Sequence, residues 1–330
     1  MSLTREKSQA TSEDLKKRKC VLCAGDFQFL WKVGGHSRHV WNYESCNRCG
    51  WIRLAVDPSD RTWRKNAYPT SYYGDGYSKF SGAIQWLREL SARRRARELA
   101  RFFSKPGRAL DIGCGEGLFL ESMKKLGWRV GGCETSGTAA QRTEERIGRP
   151  IHRGEFETMS APPEPWDMVM LWHVLEHVSK PESLLRWIHA AMAANALLIV
   201  GVPNADSWQA RLFGPHWFHL DPPRHLCSMR LSHLRRLARE AGFEEIEAHH
   251  FSLEYNPFGW AQSLLNAMGF KRDAMYEALK SQFQLSPGQR PRWSIRALAW
   301  FLLGPSIVPA IFEAAARRGG TVAVYFRKKE

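Results

Sequence analysis

The sequence predicts an α/β protein whose central part is a mostly parallel sheet with helices on both faces. Three observations carry this reading. Short apolar strands alternate with helical segments from Arg108 to Glu254, a glycine-rich turn follows the first of those strands, and a cysteine-rich segment stands ahead of them. With 330 residues, of which 44% are hydrophobic, the chain can bury a full core.

The opening segment, Met1–Lys19, is polar and charged and reads as a basic tail. It has no apolar stretch, so neither a signal peptide nor an anchor is expected there. A cytoplasmic location follows, with peripheral contact at the inner membrane face as a further expectation. Two CxxC pairs come next, Cys20-Val-Leu-Cys23 and Cys46-Asn-Arg-Cys49, with twenty-two residues between them. Thiolates two residues apart on a tight turn can face one tetrahedral ion, and two such knuckles supply four sulfur ligands. Residues 20–60 therefore read as a zinc-ribbon-like module. Cys20, Cys23, Cys46 and Cys49 are its ligands, in a closed site with a structural role. His36 and His39 lie between the pairs, but four thiolates already fill the coordination sphere. Cys114, Cys133 and Cys227 lack such spacing and read as core or loop thiols.

Residues 61–107 form an aromatic loop, with Tyr72, Tyr73 and Tyr77 among glycines, and a basic lead-in helix over Ser81–Phe103, stopped by Lys105-Pro106-Gly107. Then Arg108-Ala-Leu-Asp111-Ile runs into a turn with glycines at 113, 115 and 117, and a helix over Leu118–Leu126. Glycines there let the backbone approach a ligand and leave the amides of the helix N-terminus free. The spacing is GxGxG, unlike the GxGxxG of dinucleotide sites. A second strand, Trp128–Cys133, ends in Glu134, where a carboxylate can grip a ribose diol.

These residues resemble the class I S-adenosylmethionine-dependent methyltransferases, in particular the branch that includes the ubiquinone-biosynthesis O-methyltransferases. The resemblance rests on Leu110–Gly117, on Glu134, on the block Trp166–Val178 and on His219–Leu226. It implies a Rossmann-like seven-stranded methyltransferase sheet, with S-adenosylmethionine as cofactor. It also implies that Asp111, Gly113, Cys114, Gly115 and Gly117 cradle the methionine end and that Glu134 holds the ribose. The adenine position falls at Gly154-Glu155-Phe156, and Trp172 joins the cofactor-binding set.

The remaining pattern gives strands over Asp167–Leu171, Ala196–Val202, Glu244–His250 and Thr321–Phe326, and helices over Pro181–Ala191 and Leu231–Ala241. The S-adenosylmethionine-binding core is thus 108–256, a helical insertion between strands six and seven occupies 257–320, and 321–330 holds the last core strand. Strand six runs parallel to the others, so the insertion overhangs the ligand edge of the sheet. Within it, Ala297–Phe312 is sixteen uncharged residues, interrupted by Pro305 and Pro309 and flanked by Arg290, Arg292, Arg296, Arg317 and Arg318. The first reading is a helix pair buried against the core or a partner subunit. The second is a segment over 293–318, with Trp293 and Trp300 near one end, that dips into a membrane interface.

The net charge of +15 sits at the two ends: +11 over residues 1–107, −3 over 108–256 and +7 over 257–330. Basic ends fit docking on something anionic, such as nucleic acid, phospholipid or a phosphorylated substrate, or serve solubility alone. Methyl transfer from a sulfonium needs the reactants positioned and, for a hydroxyl acceptor, a proton removed. His173 and His225 are the candidate bases. His177 reads as packing or capping, and Arg224 can hold an anionic group of the acceptor or a carboxylate. Three functions compete. The first is O-methylation of a small-molecule, sugar or lipid-linked acceptor. The second is RNA methylation, with the cysteine module and basic ends holding phosphate, and the third is a non-catalytic scaffold. The intact glycine turn and Glu134 weigh against a scaffold. The lack of aromatic-interleaved basic strands weighs against RNA.

Overall fold

The computed structural model describes residues 19–35, 39–57, 82–272, 274–279 and 293–329. The tail up to residue 18, His36, the aromatic loop at Arg61–Tyr77, Arg290 and Arg292 lie outside the described residues.

The chain begins with three antiparallel strands, β1 (Phe27–Gly34), β2 (Val40–Cys46) and β3 (Ile52–Leu54), followed by helix α1 (Gly82–Ala100). The core alternates β4 (Arg108–Ile112), α2 (Leu118–Lys125), β5 (Arg129–Glu134), α3 (Gly137–Ile147), β6 (His152–Arg153), β7 (Trp166–Trp172), α4 (Pro181–Ala191) and β8 (Met192–Pro203). After α5 (Trp208–Phe213) come β9 (Cys227–Ser228), α6 (Leu231–Glu240) and β10 (Phe243–His249). Three helices follow, α7 (Asn256–Ala267), α8 (Ala274–Leu279) and α9 (Trp293–Ala315), before the last strand, β11 (Thr321–Lys328).

Seven strands form the main sheet in the order β10-β11-β8-β7-β4-β5-β6. Six run in one direction, β10 among them, and β11 lies antiparallel between β8 and β10. Both faces of the sheet are covered, which is why the central strands read as continuous apolar runs. Alternate residues go to opposite sides: Leu110, Ile112, Val169 and Leu171 join one buried cluster, while Ala109, Met168 and Met170 join the other. From β4 the chain passes to β5 on one side and returns as β7 on the other. Their carboxyl ends therefore flank a topological switch point, where ligands bind in such sheets.

One sequence expectation is corrected, and the N-terminal module is found joined to the core. Its sheet is completed by β9, pairing Ile52 with Ser228 and Arg53 with Cys227, and Cys20, Leu22, Cys46 and Trp51 share a buried cluster with the core strands. The apolar run Ala297–Phe312 is one continuous helix instead of a pair, and most of it is exposed. Pro305 and Pro309 do not break it because they sit on the uncovered and half-covered sides, where the carbonyls they leave unbonded meet solvent.

Candidate active site

A cavity of about 1100 Å³ opens at the carboxyl ends of β4, β5 and β7. One end is polar. Beyond β4 the backbone turns at Gly115, whose φ of +55° is left-handed and which has no atom within 4 Å of where a Cβ would stand, so its main chain borders open space. The Gly115 amide donates to Glu134 Oε2 at 2.9 Å, and the Ser136 amide donates to Oε1 at 2.8 Å. The carboxylate at the end of β5 is thus fixed by two backbone donors with lone pairs left toward the cavity. Asp111, Gly113, Cys114, Glu155, Phe156 and Trp172 line the same space. Gly117 does not. It opens α2 with φ +74°, and a Cβ there would stand 3.1 Å from the Thr143 Cα, so its small size serves the packing of α2 on α3.

Sequence reasoning missed Glu116, which gives no signal inside the glycine turn. It is buried and takes Arg88 of α1 and Arg142 of α3, each at 2.8 Å. This double ion pair anchors the turn to two helices. Arg95 of α1 lies 3.4 Å over the Trp172 ring and pairs with Glu254 at 3.3 Å, adding a cation to the cavity wall.

The chemistry-bearing groups stand on the far side of the turn. His173, directly after β7, has φ +55°, a strained conformation for a residue with a Cβ. Its Nδ1 donates to Glu176 Oε1 at 3.0 Å, and its ring stacks on Tyr255 with centroids 4.1 Å apart. Burial, with Arg95 adding to it, lowers its pKa to about 3, so the ring is neutral. Its Nε2 is buried, lies on the cavity wall and has no hydrogen-bond partner among the described residues. Asp111 Oδ1 and Trp172 Nε1 are in the same condition. Three orphaned polar atoms around one cavity are what a polar ligand would satisfy.

His225 lines the cavity too. Its Nδ1 donates to the His219 carbonyl at 2.7 Å, while Nε2 faces the carboxylates of Asp221 at 3.7 Å and Glu176 at 3.9 Å, beyond hydrogen-bonding distance. His177 donates to the Arg224 carbonyl at 2.9 Å and also borders the cavity. The Arg224 guanidinium is taken by Asp221, so the carboxylate reading of Arg224 is the one the geometry supplies. Across from these groups the wall is apolar: Ile84, Phe258, Leu279 and Leu303 belong to one cluster formed by α1, α7, α8 and α9. The insertion therefore stands over the ligand edge of the sheet.

Outside the cavity, the four knuckle cysteines draw together. Their sulfurs lie within 4.8 Å of one another, with Cys20 and Cys49 at 3.5 Å and Cys23 and Cys46 at 3.4 Å. These separations exclude disulfides and approach the roughly 3.8 Å between sulfurs around a tetrahedral zinc with bonds of about 2.3 Å. Burial raises the Cys46 thiol, but the amides of Cys49 and Arg48 outweigh it and bring its pKa down to about 7. His39 packs at a tilt against Trp41 instead of joining the cluster.

Comparison with known proteins agrees with this architecture. A family model described as a methyltransferase domain matches residues 85–248. The ubiquinone biosynthesis O-methyltransferase of Ruegeria pomeroyi is 31% identical over 168 residues, covering 48% of this chain and 67% of that protein. That of Cereibacter sphaeroides is 29% identical over the same shares. Among solved structures, a methyltransferase of Galdieria sulphuraria shares the fold, with a TM-score of 0.50 and 15% identity over 83% of this chain and 99% of that one. With the switch-point cavity, the glycine turn and the carboxylate after the second core strand in place, the chain belongs to the S-adenosylmethionine-dependent methyltransferase family.

Proposed function

We propose that the chain methylates a hydroxyl oxygen of a small-molecule, sugar or lipid-linked acceptor, with His173 as the base. The observation that carries this reading is His173 itself, which lines the cavity with Nδ1 held by Glu176 and Nε2 unpartnered among the described residues. With Glu176 steadying Nδ1, the unpartnered Nε2 can accept the proton of an acceptor hydroxyl that reaches it. In this reading His225, whose Nε2 faces the carboxylates of Asp221 and Glu176, belongs to the wall.

The residues present fit the cofactor. Asp111, the Gly113–Gly115 backbone and Trp172 would take the methionine end, Glu134 the ribose and the Glu155-Phe156 segment the adenine. When bound, S-adenosylmethionine supplies a methyl group already activated on sulfur, so this chain's own residues have only to place the acceptor and remove its proton. The apolar wall at Ile84, Phe258 and Leu303 suits an acceptor with a hydrocarbon or ring portion and excludes water from the reacting end. In this reading Cys20, Cys23, Cys46 and Cys49 hold one structural zinc, as four thiolates close the coordination sphere.

The test is methyl transfer from S-adenosylmethionine labelled in its methyl group to a panel of phenols, saccharides and polyprenyl-linked sugars, with the product located by mass spectrometry. Label on oxygen, lost in His173→Asn with cofactor binding kept, is the expected result. Label on nitrogen or carbon, or full turnover by His173→Asn, would refute the reading.

A further inference from the structure

Helix α9 has two unlike faces. Ala299, Ala310 and Glu313 are buried against the domain, and Leu302 and Leu303 pack with α7 and α8. The opposite face carries Trp300, Phe301, Ile307, Val308, Ile311 and Phe312, all exposed, Phe301 to 73% and Phe312 to 63%. Their spacing sets them along one side of the helix, and no charged residue interrupts the run between Arg296 and Glu313. A continuous apolar strip of that size facing water marks an interaction site.

Two further observations say what covers it. The strip meets the mouth of the cavity: Trp300 and Trp86 both line the cavity and are both largely exposed, at 52% and 63%, so two tryptophans rim its opening. The strip is also bracketed by cations, with Arg296 exposed at one end and Arg317 exposed at the other, in a chain of net charge +15. Apolar and aromatic side chains between arginines complement an anionic lipid surface, whereas a second copy of this chain would bring the same positive charge to the contact.

We propose that the outer face of α9 docks this protein on an anionic bilayer, with the helix in the plane of the headgroups and the cavity mouth toward the lipid. By length and composition Arg296–Ala315 is long enough to cross a membrane. Its inner face is tied down, however: Glu313 Oε1 accepts from Gln209 Nε2 at 2.8 Å and from the Gly320 amide at 2.9 Å, and β11 starts at Thr321. Those bonds hold the helix along the domain surface. The carbonyls that Pro305 and Pro309 leave unbonded need water, which sets the depth at the headgroups and not in the hydrocarbon. Docking stands apart from the hydroxyl-acceptor reading and extends it only by naming the side from which an acceptor enters.

The experiment is co-sedimentation of the full chain with vesicles of phosphatidylcholine, alone or with roughly one third phosphatidylglycerol, at about 0.1 M and about 0.5 M salt. Expected is binding to the anionic vesicles that weakens in high salt without vanishing. The double variant Phe301→Ser with Phe312→Ser, both outside the cavity lining, should lose roughly tenfold or more in partitioning while keeping its melting temperature and cofactor affinity. Light scattering on the same samples gives the oligomeric state. Absence of binding to anionic vesicles, unchanged binding by the variant, or a dimer that the variant converts to monomer would each overturn the proposal. Cofactor affinity, read by calorimetry, tests the catalytic reading separately.

Discussion

The Nδ1 of His173 lies 3.0 Å from Oε1 of Glu176, one short turn further along the chain, and the opposite ring nitrogen is buried without a hydrogen-bond partner among the described residues. Such an arrangement fixes both the tautomer and the direction of the imidazole. His173→Asn is expected to lower kcat by roughly 10²- to 10⁴-fold with the Kd for S-adenosylmethionine unchanged. Glu176→Gln should lower kcat by less and in the same direction. Single-turnover rates beside calorimetric affinities check this. A variant that loses cofactor affinity in step with rate would make His173 a binding group instead.

Glu134 presents both carboxylate oxygens from backbone-held positions at the polar end of the cavity. Glu134→Ala removes two acceptors from a ribose diol, a loss of about 2–4 kcal/mol, or roughly 30- to 1000-fold in Kd. Titration with S-adenosylhomocysteine measures it without turnover. Unchanged affinity would place the ribose elsewhere.

Glu116 pairs with both Arg88 and Arg142 in a buried position. Glu116→Gln keeps the shape but removes the carboxylate the two guanidiniums share, so a loss of about 3 kcal/mol in folding stability is expected. Urea denaturation reads it directly. Because the same pair anchors the glycine turn, cofactor affinity should fall with it.

Glu313 gives a pH dependence with a definite sign. Burial raises its pKa from 4.5 to about 7, against the pull of the Gly320 and Gln209 hydrogen bonds. The folded state then holds the proton more tightly than the unfolded one, so this group weakens the fold as pH rises from about 4.5 through 7. Glu313→Gln should stabilise the protein by about 2–3 kcal/mol at pH 8 and by little at pH 5. Denaturation midpoints of both proteins at the two pH values decide it, and a variant less stable at pH 8 would mean that the charge is needed.

One zinc per chain is expected by metal analysis, lost in Cys46→Ser. Tyr43 of β2 donates to the Leu220 carbonyl at 2.6 Å, and β3 pairs with β9, so the module braces the segment that carries His219, Arg224 and His225. Loss of the metal should therefore raise the KM for acceptor more than the Kd for cofactor. Equal damage to both, or a wild-type protein without zinc, would contradict this.

What the sequence made legible was local. The glycine turn, Glu134 and the two CxxC pairs each announce themselves within a few residues, because their chemistry depends on short spacings. Even the His173–Glu176 pair, three residues apart, was open to reading as a histidine after a strand with an acid within one turn. The rest depends on distant segments meeting. Tyr255 reaches His173 from a connection some eighty residues away, and Trp86 and Trp300 line one cavity only because α1 and α9, far apart in the chain, border the same space. The prolines of α9 suggested a break because they lack the amide a helix uses. The structure tolerates them on the exposed and half-covered sides of the helix.

The pairing of β3 with β9 also orders events during synthesis. The cysteine knuckles leave the ribosome early, yet the strand that closes their sheet, Cys227–Ser228, is made about 170 residues later. Through most of translation the four thiols belong to a sheet still missing its last strand, so an ion held there as proposed would remain exchangeable. Only when the second half of the chain arrives does the edge close, and from then on such an ion would be held by the whole fold.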